Sequence, residues 1–179
     1  SDLGLQLKPY WLVSNDNGPD FMDDDPTGNR RFGVGASPIT EGHYVVGSDV
    51  QDNATTQLEE TLYNFRRRGP EWTVVSNSLT FPAELPTAKI GSDVAVDGQT
   101  AIVGARDYDD RGAAMIFENT TGSDRWVLQQ ILRPEGVNLN DMVGSSVAIR
   151  GDTAVVGAPA AKGGDGAVYV FQRSGGFWT

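Results

Sequence analysis

The sequence predicts an all-β fold made of small four-stranded antiparallel sheets, and three observations carry that prediction. Short Val, Ile and Ala runs are bounded by Gly, Asp, Asn and Pro. The 22 Gly and 9 Pro among 179 residues supply turns at close spacing, while helix-period stretches are few. One pattern of strands, turn and aromatic anchor returns about every 54 residues.

The clearest copy of the pattern is Val143-Gly144-Ser145-Ser146-Val147-Ala148-Ile149, a Gly151-Asp152 turn, then Thr153-Ala154-Val155-Val156-Gly157-Ala158-Pro159. It continues as Gly166-Ala167-Val168-Tyr169-Val170-Phe171 and closes on Trp178. The copy before it runs from Ile90-Gly91-Ser92-Asp93-Val94-Ala95-Val96 through a Gly98 turn to Thr100-Ala101-Ile102-Val103-Gly104-Ala105. Its second half is Gly112-Ala113-Ala114-Met115-Ile116-Phe117, closing on Trp126. The first copy is more divergent and keeps Phe32-Gly33, Tyr44-Val45-Val46-Gly47, Leu62-Tyr63-Asn64-Phe65 and Trp72. Gly47, Gly104 and Gly157 stand 57 and 53 residues apart, and Trp72, Trp126 and Trp178 stand 54 and 52 apart. Loop insertions of a few residues account for that drift.

Each copy reads as four strands, hence one small sheet. A sheet this short cannot bury both faces alone, so copies must stack face to face, and radial stacking about an axis makes propeller blades. Gly and Ala near strand ends suit places where neighbouring sheets converge. The expected organisation is an outer strand of a preceding blade plus an acidic connection over residues 1–31, and a divergent blade over 32–88. A second blade follows over 89–142, and a third with a shortened outer strand over 143–179. Three blades are fewer than a closed ring needs, so the expectation is part of a larger propeller.

These motifs carry a family resemblance. Ile90-Gly91 and Val143-Gly144 before their strands, Val103-Gly104-Ala105 and Val156-Gly157-Ala158-Pro159 after them, and the literal Phe32-Gly33, look like the two halves of an FG-GAP repeat. The chain resembles the repeats of integrin α-subunit propellers, strongly over residues 89–178 and weakly before. The resemblance implies an extracytoplasmic, non-catalytic β-propeller used for protein–protein attachment or structural assembly. Its partners would be another protein or further blades of the same protein. A carbohydrate-binding, lectin-like propeller with a glycan ligand is the alternative.

The family often carries a calcium loop, Asp-x-Asp-x-Asp-Gly, between its first two strands, because a hard cation takes several oxygens on a tight turn. Here those connections are the short turns at Asp97-Gly98 and Gly151-Asp152. The candidate calcium ligands are instead Asp107, Asp109 and Asp110 before Gly112, where Arg111 takes the place of the third acid. Asp16, Asp20, Asp23, Asp24 and Asp25 form a second acidic cluster without the motif order.

Charge and composition narrow the function classes. With 14 Lys plus Arg against 24 Asp plus Glu the net charge is -10, which opposes binding to a phosphate backbone, so nucleic acid is not expected as a partner. Cys is absent and His43 is the single His, which excludes a thiolate or multi-histidine metal centre. No apolar run reaches the roughly 20 residues of a membrane helix, so this segment is not expected to enter a bilayer. No Gly-x-Ser-x-Gly elbow or triad setting is present, and no catalytic residue is expected.

Two sequons, Asn53-Ala54-Thr55 and Asn119-Thr120-Thr121, make Asn53 and Asn119 glycosylation candidates. Arg150-Gly151-Asp152 has the form of an adhesion tripeptide, yet Gly-Asp between apolar strands is already explained by hairpin geometry. The repeat position of the Trp residues marks them as packing groups of the outer strand.

Overall fold

The computed structural model describes residues 30–40, 43–50, 62–68, 71–74, 79–80, 90–119 and 126–179. The first sheet contains β1 (Arg30–Thr40), β2 (His43–Val50), β3 (Leu62–Arg68) and β4 (Glu71–Val74), hydrogen-bonded in that order and antiparallel throughout. The second contains β5 (Leu79–Thr80), β6 (Val94–Asp97), β7 (Thr100–Ala105), β8 (Ala113–Glu118) and β9 (Trp126–Leu132), in the order β5-β9-β8-β7-β6. The third contains β10 (Ser146–Arg150), β11 (Thr153–Ala158), β12 (Ala167–Ser174) and β13 (Phe177–Trp178), again in chain order.

The all-β prediction is therefore borne out: the sheets are the small antiparallel meanders expected of propeller blades, with no α-helix among the described residues. Two details differ from the sequence reading. Leu79 and Thr80, assigned to the first repeat, pair in parallel with Trp126 and Val127 and so extend the second sheet. Gly91 and Gly144, read as part of the leading strands, stand before them with φ of 104° and 88°. Such backbone does not continue a pleated strand and is open mainly to glycine.

Strand residues are sorted by what covers each face. In β7 all six residues are buried, because the second sheet is covered on both sides. Its Val94, Ala101, Val103, Met115, Phe117 and Trp126 form one apolar cluster that Val45 of the first sheet joins. Its Ile102, Ala114, Ile116 and Leu132 form another with Val147, Ala154, Val156 and Trp178 of the third sheet. In β12 the burial alternates strictly along the strand, as expected when one face of a sheet is packed and the other is bare. The hairpin turns after β6 and β10 place Gly98 at φ 61° and Gly151 at φ 55°, so both predicted turn glycines occupy positions where a side chain would be strained.

Candidate functional site

The seam between the second and third sheets is the best-defined site in the molecule. Gly104 lies within β7, and a Cβ there would overlap the carbonyl oxygen of Gly144. A Cβ on Gly144 would in turn overlap the Ala113 carbonyl, and one on Gly112 would overlap backbone atoms of Val143. Three repeat glycines thus let two backbones meet where no side chain fits. Gly112 and Val143 form a lone parallel bridge there, and the Val143 amide donates to the Arg111 carbonyl at 3.1 Å.

Each leading glycine also closes its own blade. The Gly91 amide donates to the Gly104 carbonyl at 2.8 Å, and the Gly144 amide donates to the Gly157 carbonyl at 3.0 Å. The paired glycines of the repeat are therefore hydrogen-bond partners, which gives their 13-residue separation within each copy a structural cause.

Polar side chains lock the seam. Ser92 Oγ donates to the Gly144 carbonyl at 2.7 Å. Asp93 spans two blades: Oδ1 accepts from its own Val94 amide at 2.9 Å and Oδ2 accepts from the Val147 amide at 2.8 Å. Asp97 accepts from the Gly151 amide across the same boundary. At the outer rim Gln130 pairs with the backbone of Trp178. One blade earlier, Ser37 Oγ accepts from the Val96 amide at 2.9 Å, joining the first sheet to the second.

Arg173 of β12 crosses the seam from the other side. It donates to Asp152 at 2.7 Å and to Thr100 Oγ1 at 3.2 Å, approaches Glu118 at 3.7 Å, and lies 5.3 Å from the Trp178 ring centroid. The Arg150-Gly151-Asp152 turn is held by these contacts, since Asp97 takes the Gly151 amide and Arg173 takes the Asp152 carboxylate. Beside it an open polar groove of about 420 Å³ is lined by Asp97, Thr100, Glu118, Asn119 and Arg173 among others.

The acidic loop after β7 is a short 3-10 turn over Tyr108–Asp110, with Asp109 and Asp110 at φ 54° and 56°. Asp107 pairs with Arg106 at 3.5 Å, and Asp109 with Arg133 at 3.4 Å. The Arg133 guanidinium also sits 4.6 Å from the buried Tyr108 ring centroid. Among the described residues no group of three or more His, Asp or Glu is arranged to hold a cation.

Trp126 and Trp178 are both buried, in the fourth strands of their repeats, β9 and β13. For Phe32, Gly47 and Trp72 the backbone places Phe32 opposite Ser48, Gly47 opposite Leu62 and Trp72 opposite Arg67, while Gly33 lies in the irregular stretch of β1 between Phe32 and Ala36. Asn119 is half-buried, with its amide donating to the Gln99 carbonyl at 2.9 Å. Asn53 and the cluster from Asp16 to Asp25 lie outside the described residues.

Sequence reading did not single out Ser92, Asp93, Gln130 or Arg173. The only repeat signal among them is Ser92, whose counterpart Ser145 also follows the leading glycine. Asp93 has Ser146 at its repeat position, so comparing copies hides its role.

The third sheet carries an open groove beside its own repeat glycines, where Ser146 lies against Gly157 and Ser145 Oγ donates to the Met142 carbonyl at 2.7 Å. Its wall includes Ser145, Gly157, Asp165, Gly166, Ala167 and Val168. By repeat position Ser145 matches Ser92, Gly157 matches Gly104, and Gly166 matches Gly112.

A family model described as FG-GAP repeat matches residues 126–171. The match runs from Trp126 in β9 to Phe171 in β12 and so contains the Val143-Gly144 leader, the Gly157 anchor and the third sheet's first strands. The resemblance read from the sequence is borne out as an FG-GAP repeat over this span. No curated protein matches the chain. Among the described residues, no helix is long and apolar enough to cross a membrane.

Proposed function

We propose that this chain is a non-catalytic, extracytoplasmic propeller module whose work is attachment, made through the uncovered face of its third blade. The single observation that carries the reading is the contrast between equivalent residues of two blades. Ala114 and Ile116 of the second sheet are each 0% exposed, whereas their counterparts Val168 and Val170 are 68% and 59% exposed. Phe177, paired with Ser174 further along β12, is 70% exposed. Large apolar side chains held exposed on one sheet face mark an interaction surface.

The polar elements of the seam support a structural and not a chemical role. They are backbone amides, carbonyls, a serine hydroxyl and carboxylates already engaged in joining blades. An extracytoplasmic setting follows the usual occurrence of FG-GAP repeats.

Native and denaturing mass spectrometry of the purified protein tests the attachment reading. The expected result is a native mass above the denatured chain mass that falls back when Val168→Asp and Val170→Asp are introduced together. Equal native and denatured masses, or an assembly indifferent to the double substitution, would overturn it.

A further inference from the structure

We infer that the bare face of the third blade is self-complementary, and that a second copy of this chain covers it with the same face about a two-fold axis. The inference rests on the attachment reading and names its partner.

Strand pairing sets this face out in rows, because directly opposed residues of neighbouring strands share a side. The middle row is aliphatic: Ala148, Val155 and Val170 stand side by side across β10, β11 and β12. On one flank Gly157 is opposed by Ser146 and by Val168, and the Ser146 hydroxyl lies over the glycine, so that row has no gap. On the other flank Arg150 opposes Thr153, and Thr153 Oγ1 accepts from Gln172 Nε2 at 2.9 Å. Phe177, opposite Ser174, continues the same side beyond Gln172.

The two ends of the face carry opposite charges. Arg150 is exposed at one end, and Asp165 is exposed at the other, in the wall of the groove that Ser146 and Val168 line. Among the described residues neither forms an ion pair. A two-fold axis lying in the plane of contact, midway between the two charges, sets each Arg150 against Asp165 of the other copy and brings the aliphatic rows together.

The face also departs from the one that receives a blade at the existing seam. There Asp97 accepts from the Gly151 amide, whereas the third blade has Arg150 at that register position. A guanidinium only donates, so it calls for a carboxylate and not an amide. Asp93, which accepts from the Val147 amide, is replaced by Ser146, whose hydroxyl is turned to Gly157. A second copy offers the carboxylate that Arg150 calls for and apolar cover for Val168 and Val170.

Sedimentation equilibrium of the whole chain provides the test, over about 10 µM to 1 mM because a face of this size makes a weak dimer. Far-UV circular dichroism confirms that each variant folds. The expected result is a reversible monomer–dimer equilibrium weakened roughly tenfold or more by Val170→Asp, which puts a charge into the apolar centre. Arg150→Asp and Asp165→Arg should each weaken it about tenfold, since either change sets like charges together twice in the dimer. Mixed in equal amounts, those two single variants should pair with one another about as well as the unaltered chain pairs with itself. Both substitutions in one chain should likewise restore the dimer.

A monomer at every concentration, association unchanged by Val170→Asp, open-ended growth beyond a dimer, or single variants that fail to pair when mixed would overturn the second-copy assignment. An assembly that depends on Val168 and Val170 but contains a different polypeptide would overturn it too, while leaving the attachment reading standing.

Discussion

The side-chain amide of Gln130 closes a two-bond ring with the backbone of Trp178: Nε2 donates to the Trp178 carbonyl at 2.7 Å, and the Trp178 amide donates to Oε1 at 2.9 Å. The glutamine imitates a neighbouring strand. It joins the outer strand of the second blade to that of the third, where β13 is only two residues long.

Gln130→Ala should therefore lower stability by about 1–3 kcal/mol, because two part-buried backbone groups lose their partners. Gln130→Glu should cost at least as much, since it replaces the donor by a carboxylate oxygen facing a carbonyl. Urea unfolding checks this: the midpoint should fall with little change in slope.

Glycine positions separate into two classes with different expected costs. Gly104→Ala and Gly144→Ala force a Cβ into backbone of the neighbouring blade, and each should cost more than about 3 kcal/mol. Gly136 has φ 71° but open space around its Cβ position, so Gly136→Ala should cost only about 1 kcal/mol. Thermal unfolding of the three variants side by side would expose the ranking, and equal losses would contradict the seam geometry.

Asp93→Asn should lower stability by about 1–2 kcal/mol, because the carboxylate accepts from two amides in two blades and an amide side chain has only one acceptor oxygen. Hydrogen exchange at Val147 is the specific readout. That amide should lose protection more than those in the middle of β11.

Calcium should leave the thermal midpoint unchanged within about 1 °C at millimolar concentration, since the carboxylates of Asp107 and Asp109 are directed to Arg106 and Arg133. Calorimetric titration gives an independent measure. Binding that disappears with Asp109→Asn would show that the arginines yield the loop to a cation.

The blades were legible because their signals are local. Hydrophobic runs, turn glycines and Trp anchors recur at fixed spacing, and each maps onto a strand, a turn or a buried outer-strand ring. The glycines were readable as close-approach points, but not as partners, since the contact of Gly104 with Gly144 joins residues 40 apart. Asp93, Gln130 and Arg173 were not legible at all. Each acts across the seam on backbone or on polar side chains of the neighbouring blade, and long-range pairing of that kind leaves no periodic trace. Leu79-Thr80 escaped for a similar reason: two residues are too few to show an alternation.

The contacts that the leading glycine makes at the seam are addressed to carbonyl oxygens and amides, which every residue type possesses. A newly duplicated blade would therefore meet a compatible neighbour before any of its side chains had adapted. That makes lengthening by whole repeats an easy evolutionary step, and it leaves loop sequences free to diverge while the joint between blades stays the same.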